Sequence, residues 1–157
     1  TPTMALNFRD VANQKLEEVE RPKNPPVGNY LWKISKIPTI ETLKGDEWDI
    51  VDVPLQCIAP SEDVDPDSLA AYGPLTKLML RKRFMFNKMD QTAFDRTLFE
   101  LRRFLEDHVK CATPDMGMME ALNASVGHQV MAEITWRADK NDSEIMHANV
   151  GRTAPVL

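Results

Sequence analysis

The stretch Leu78–Phe86, LMLRKRFMF, limits the fold more than any other in the chain. Side chains of a strand alternate between two faces, so the residues fall into two rows. Leu78, Leu80, Lys82, Phe84 and Phe86 make one row, which should line a core. Met79, Arg81, Arg83 and Met85 make the other, with Arg81 and Arg83 outward and about 7 Å apart by strand rise. Three consecutive cations therefore fit a half-buried strand, and only Lys82 faces the wrong way. Two adjacent phosphates of an extended nucleic-acid chain would match the outward pair, and so would acids on a neighbouring strand, for instance Asp49 or Asp52.

The remaining elements read as follows. NYLWKISKIPTIETL (29–43) is a long strand with an edge, bulge or bend at Pro38, which cannot donate to a ladder. Lys44-Gly45-Asp46 is a hairpin turn, and a second strand runs from Glu47 to Ile58. An acidic, proline-punctuated loop (59–74) follows, with a helical turn at Asp67–Ala71. Strand three spans Lys77–Phe86. A helix is predicted from Gln91 to Val109, with Asn87 or Asp90 as cap and Phe94, Leu98, Leu101, Leu105 and Val109 toward the core. Thr113-Pro114 reads as the start of a second short helix ending at Val126-Gly127. HQVMAEITWRA (128–138) and EIMHANVGR (144–152) are strands four and five. Residues 1–28 form an N-terminal arm, with a helical turn around Asp10–Val19 and then proline-rich extended chain. Residues 29–152 form the domain and 153–157 a short tail.

The expected class is mainly β with α: three strands, a helix pair, then two strands, the order of a five-stranded OB-like Greek-key barrel with an extended N-terminal arm. With 157 residues, 43% hydrophobic and 27% charged, one domain with a real core is the simplest organisation. No apolar run approaches the roughly 20 residues of a membrane span, and the N-terminus has no secretion-signal pattern. Cys57 and Cys111 read as free thiols in a reducing, cytosolic setting.

The net charge of −5 hides an asymmetry. Residues 41–70 hold nine acids against Lys44 alone, a balance of −8, whereas residues 76–110 hold nine bases against five acids, a balance of +4. Such a distribution suits either a basic surface for nucleic acid or opposed patches that pair protein subunits.

Several pieces resemble phage-encoded single-stranded DNA-binding proteins of the OB type. They are PPVGNYLWKISKI, the basic strand LRKRFMF, the helix LFELRRFLEDHV, and ALNASVGHQVMAEITW leading into strand four. The resemblance spans about Val27–Arg152 and rests on the order and style of the pieces. It implies a barrel face that holds single-stranded DNA in replication or recombination, in the cytoplasm of an infected bacterium. Many such proteins end in an acidic tail; GRTAPVL is not acidic, and the arm is longer than the barrel needs. Both departures suit the alternative, a virion structural protein such as a capsid decoration or cement subunit. Its arm and acidic region 41–70 would then meet other virion proteins.

Single-strand binding needs cations along phosphates and aromatics for stacking. The candidates are Arg81 and Arg83, with Lys33, Lys36 and Lys44 on strand one and its turn, Trp48 at the start of strand two, and Arg137 and Lys140 near the last loop. Trp32 and Trp136 fall on inward rows and read as core, and the nine methionines read as core filler. His108, His128 and His147 match no zinc spacing. Asp63, Asp65 and Asp67 alternate like a calcium loop, but Pro66 and the missing glycine and glutamate spoil it. No nucleophile has an evident base, so no enzyme, metal or cofactor is expected.

Overall fold

The computed structural model describes residues 7–18, 23–43, 45 and 47–156. Six strands and three helices are laid out in chain order as β1 (Gly28–Ile34), β2 (Thr39–Thr42), β3 (Trp48–Pro60), α1 (Pro66–Tyr72), β4 (Met79–Asn87), α2 (Gln91–Arg103), α3 (Met118–Ala124), β5 (Gln129–Ala138) and β6 (Met146–Ala154). The count is six rather than five because Ser35–Pro38 interrupts the expected first strand. Its halves still lie along one edge of β3: Tyr30–Ile34 pairs with Leu55–Pro60, and Thr39–Thr42 pairs with Asp49–Asp52. Pro38 therefore sits at a bend.

All pairings are antiparallel, and the neighbour order is β2-β3-β1-β5-β6, with β4 on the other edge of β3. The edge strands β4 and β6 are not paired as strands, yet they approach each other. There the Lys82 ammonium donates to the Gly151 carbonyl at 2.9 Å. A side chain at Gly151 would displace Glu133, since a Cβ would lie 2.6 Å from Glu133 Oε1 and 2.8 Å from its Cγ. The same Glu133 oxygen accepts from the Arg152 amide at 3.1 Å, beside the register shift between β5 and β6.

The core is one cluster. Tyr30, Trp32 and Ile34 from β1 meet Val51, Val53, Leu55 and Cys57 from β3, Phe84 and Phe86 from β4, and Val130, Ala132 and Ile134 from β5. The helices close it with Leu101, Phe104, Leu105, Val109, Ala121 and Leu122. Trp32 is fully buried, and its indole N–H reaches the Ala132 carbonyl at 3.1 Å, which satisfies the polar handle an indole brings into a core. Asp90 caps α2 through the Ala93 amide, and the helix widens into a π turn over Phe104–His108 before Val109. Phe94 packs on Phe86 and Phe104 on Phe84, at ring-centroid distances of 5.1 and 5.2 Å.

Several expectations are corrected. Leu98 is exposed, because the buried helix face runs through Phe94, Leu101, Phe104 and Leu105 and leaves Leu98 at its margin. The second helix begins at Met118 rather than after Thr113. Pro114 instead sits in a turn closed by the Met116 amide on the Thr113 carbonyl. None of the described methionines is buried, since aromatic and branched residues fill the core. The helical turn in the arm resolves into two short 3-10 turns, Phe8–Asp10 and Leu16–Glu18, while Val19 lies outside the described residues. The turn expected at Asp67–Ala71 is present as α1, with Asp65 as cap and Pro66 at its first position. Cys57 and Cys111 are free, one buried and one half-buried.

Candidate nucleic-acid interface

Register decides which charged side chains share a face. On β3, Val51, Val53, Leu55 and Cys57 point into the core, so Trp48, Ile50, Asp52, Pro54, Gln56 and Ile58 point outward. Across the β3–β4 ladder, Asn87 lies opposite Trp48, Met85 opposite Ile50, Arg83 opposite Asp52, Arg81 opposite Pro54 and Met79 opposite Gln56. On the other edge of β3, Lys33 lies opposite Gln56 and Thr39 opposite Asp52. Lys33, Arg81 and Arg83 therefore stand on one outward face built by three adjacent strands, and all three are exposed.

Lys36, in the bend between β1 and β2, joins them. With Ile37, Thr39, Pro54, Met79 and Arg81 it surrounds a cavity of about 380 Å³ that reaches Asp52. Trp48 sits half-buried at the far end of the same face. The outward row of β4 flanks its two cations with apolar surface, because Met79 and Met85 are 52% and 43% exposed.

The two arginines already have an acidic neighbour. Arg83 Nε is 2.9 Å from Asp52 Oδ1, and Arg81 Nη1 is 3.6 Å from Oδ2. Asp52 is 2% exposed, while the arginine side chains remain 54% and 59% exposed. Neither carboxylate oxygen receives a hydrogen bond of proper angle, so both contacts are charge pairing without directed donation. One buried negative charge thus anchors two guanidiniums whose outer edges stay in solvent. Asp49, the other acid considered for this role, instead accepts from Thr42 and pairs with Lys88 at 3.3 Å.

The other candidates lie apart. Arg137 and Lys140 occupy the β5–β6 end, past the start of β1, around a separate cavity with Asp139, Asn141 and His147. There His147 Nε2 contacts Asp139 Oδ1 at 2.9 Å, and that bond, with the Asn141 amide, holds the Asp139 carboxyl below the usual range. Lys44 lies outside the described residues. Trp136 departs from its expected place in the core. It is 44% exposed, and its indole N–H donates to the Pro25 carbonyl at 2.7 Å. Trp136 lies beyond the β1–β5 pairing, which ends at Ile134, so no strand covers it from that side, and residues 23–27 lie against it instead.

Period two alone could not reveal this use of the N-terminal segment. Lys23 Nζ donates to the Ala71 carbonyl, Asn24 to Met146, and the Tyr30 hydroxyl to Pro26. Residues 23–27 therefore pack on their own domain, whereas Phe8 and Leu16 stay 80% and 91% exposed. Lys82, on the core-facing row, lies under none of the outward cations. Its role is a bridge to β6 with the ammonium over the Phe84 ring, 5.5 Å from the centroid, and burial lowers its pKa.

Among the described residues, no group of three or more His, Cys, Asp or Glu side chains is arranged to hold a metal ion. No described helix is long and apolar enough to cross a membrane. No protein-family model matches the chain, and no curated protein matches it at a significant level.

Proposed function

We propose that the protein is a phage single-stranded DNA-binding protein with an OB-type barrel, non-catalytic and with little sequence preference, acting in replication or recombination in the infected cell. The observation that carries this reading is the common outward face of Lys33, Lys36, Arg81 and Arg83 over three neighbouring strands. Cations at strand and loop spacing can follow a phosphate chain, and the exposed methionines that flank the arginines, with Trp48 at the far end of the face, offer apolar surface to bases. The barrel assignment is supported by the neighbour order. With β1 and β2 counted as one bent strand, the path β4-β3-β1-β5-β6 brings its two ends together at Lys82 and Gly151. The same sheet face carries ligands in OB folds.

The test is a fluorescence-anisotropy titration with an oligo-dT strand. Binding is expected at low salt and should fall steeply as salt rises, through counterion release. Removing both arginines alone would strand Asp52 without a counter-charge. The informative variant is therefore Arg81→Gln/Arg83→Gln/Asp52→Asn, which deletes the whole group. A folded triple variant that binds oligo-dT as well as the parent moves the site elsewhere, and no binding by the parent at low salt removes the reading.

The second reading, a capsid decoration or cement subunit in the virion, is favoured by one observation. The arm residues Phe8 and Leu16 are almost fully exposed apolar side chains, as expected of a segment that lies on another protein. Mass spectrometry of purified particles separates the two: a structural subunit is present in fixed copy number, a replication protein is absent.

A further inference from the structure

The far side of β4 holds a second cluster of cations that the outward face does not use. Where β4 and β6 fail to pair, a cavity of about 290 Å³ opens beside the end of α2. Phe84 and Phe104, both nearly fully buried, line it on the apolar side. Lys82 enters it from β4, Arg103 and His108 from the last turns of the helix, and Arg152 from β6. The cations come from three separate elements, so local chain pattern does not explain their convergence.

The charges are poorly compensated. Among the described residues Glu100 is the one carboxylate on the cavity wall, and it acts on Lys82 only at a distance, with no ion pair between them. Glu133, which also acts on Lys82, spends an oxygen on the Arg152 amide. Arg103 has a loose contact of 3.9 Å with Asp107. The Arg152 guanidinium has no acidic partner within ion-pair distance among the described residues. An ammonium carries three donors, and Lys82 uses one described bond, to Gly151. The His108 ring is fixed by Nδ1 against the Thr153 hydroxyl at 2.7 Å. Burial first, and then Arg103, keep its pKa below the ordinary value, against the opposing pull of Asp107.

We propose that this seam is a binding site for a phosphate-class oxyanion, held by Lys82 and Arg152 with Arg103 at the rim. A tetrahedral oxyanion accepts from several directions at once and supplies the negative charge the cluster lacks. A charge-assisted bond to a half-buried ammonium such as Lys82 is stronger than the same contact on an open surface. Such an oxyanion would also tie β4 to β6 where backbone pairing is missing. The ligand is either a free phosphate species or a phosphate of a DNA strand. The site is independent of whether the Arg81–Arg83 face binds DNA.

The experiment is an amide and His-ring NMR titration of the full chain with inorganic phosphate, and in parallel with oligo-dT, at ionic strength held constant with chloride. The expected result is saturable shifts confined to residues around Lys82, Arg103, His108 and Gly151–Thr153. Lys82→Met keeps the side-chain volume and should weaken binding at least tenfold. Arg152→Gln, at an exposed position, gives the same readout if the first variant fails to fold. Saturation by inorganic phosphate identifies a free phosphate ligand, and saturation by oligo-dT alone identifies a backbone phosphate. Shifts no larger than those caused by chloride in both arms, or unchanged binding in Arg152→Gln, overturn the proposal.

Discussion

Asp52 offers the sharpest test of the energetics. It is a 2%-exposed carboxylate shared by two arginines that are each more than half exposed. Two unit charges about 4 Å apart interact by roughly 4 kcal/mol at an effective dielectric near 20, whereas fully exposed pairs contribute about 0–1 kcal/mol. Solvent screening of the arginines and the lack of a directed hydrogen bond pull the value toward the lower end. Arg83→Ala, which loses the 2.9 Å contact, should cost about 1–2 kcal/mol, and Arg81→Ala, at 3.6 Å, less than about 1 kcal/mol. The double variant is a different case. It leaves a buried carboxylate with no counter-charge, which costs about 3–5 kcal/mol, more than the sum of the single losses. Adding Asp52→Asn removes that charge and should restore most of the loss. Urea unfolding followed by tryptophan fluorescence and far-UV circular dichroism measures all four variants. Additive single losses, together with no recovery on adding Asp52→Asn, would refute the claim that one buried charge anchors both arginines.

Other consequences can be measured in the same way. Trp32→Ala empties a fully buried site and loses the indole bond to the Ala132 carbonyl, so urea melts should show a loss of about 3–5 kcal/mol. Gly151→Ala forces Glu133 away from the Arg152 amide and should cost on the order of 1–2 kcal/mol; Gly151→Ala/Glu133→Ala, which clears the space, should recover part of it. Burial pushes the Cys57 thiol up to about 11 and the Tyr30 hydroxyl up to about 12, from 9.0 and 10.0. The folded state therefore holds these protons more tightly than the unfolded chain. Stability is complete below about pH 9 and should fall as pH rises through 9–12, with each two-unit shift worth roughly 2–3 kcal/mol when fully expressed. Chemical denaturation at pH 8, 10 and 11 checks the slope, which Cys57→Ala should flatten. At pH 8 both thiols should react slowly with a thiol-specific reagent in the native protein and quickly in denaturant, because burial raises Cys111 as well.

Local pattern determined much of this protein. Alternation assigned the rows of β4 correctly, so that Phe84 and Phe86 are core and Arg81 and Arg83 face solvent. It also placed Trp32 inward, a helical turn at Asp67–Ala71 and a long helix after Asp90. These follow from the two-residue period of a strand, the 3.6-residue period of a helix and the chemistry of caps, all of which act over a few residues.

Partners distant along the chain were decided only in three dimensions. Asp52 reaches Arg81 and Arg83 through the β3–β4 register, and the 59–74 loop between those strands says nothing about that register. Trp136 has the inward parity of its strand, yet it lies past the end of β1, so residues 23–27 lie against it. Lys82 looked misplaced on an apolar row because the strand's own pattern holds no trace of β6. Only the approach of two edge strands, about seventy residues apart by number, gives its ammonium an acceptor at Gly151 and a cavity to face. Periodicity reports which side of a strand a residue takes. What waits on that side is set by long-range register and by how the sheet's ends meet.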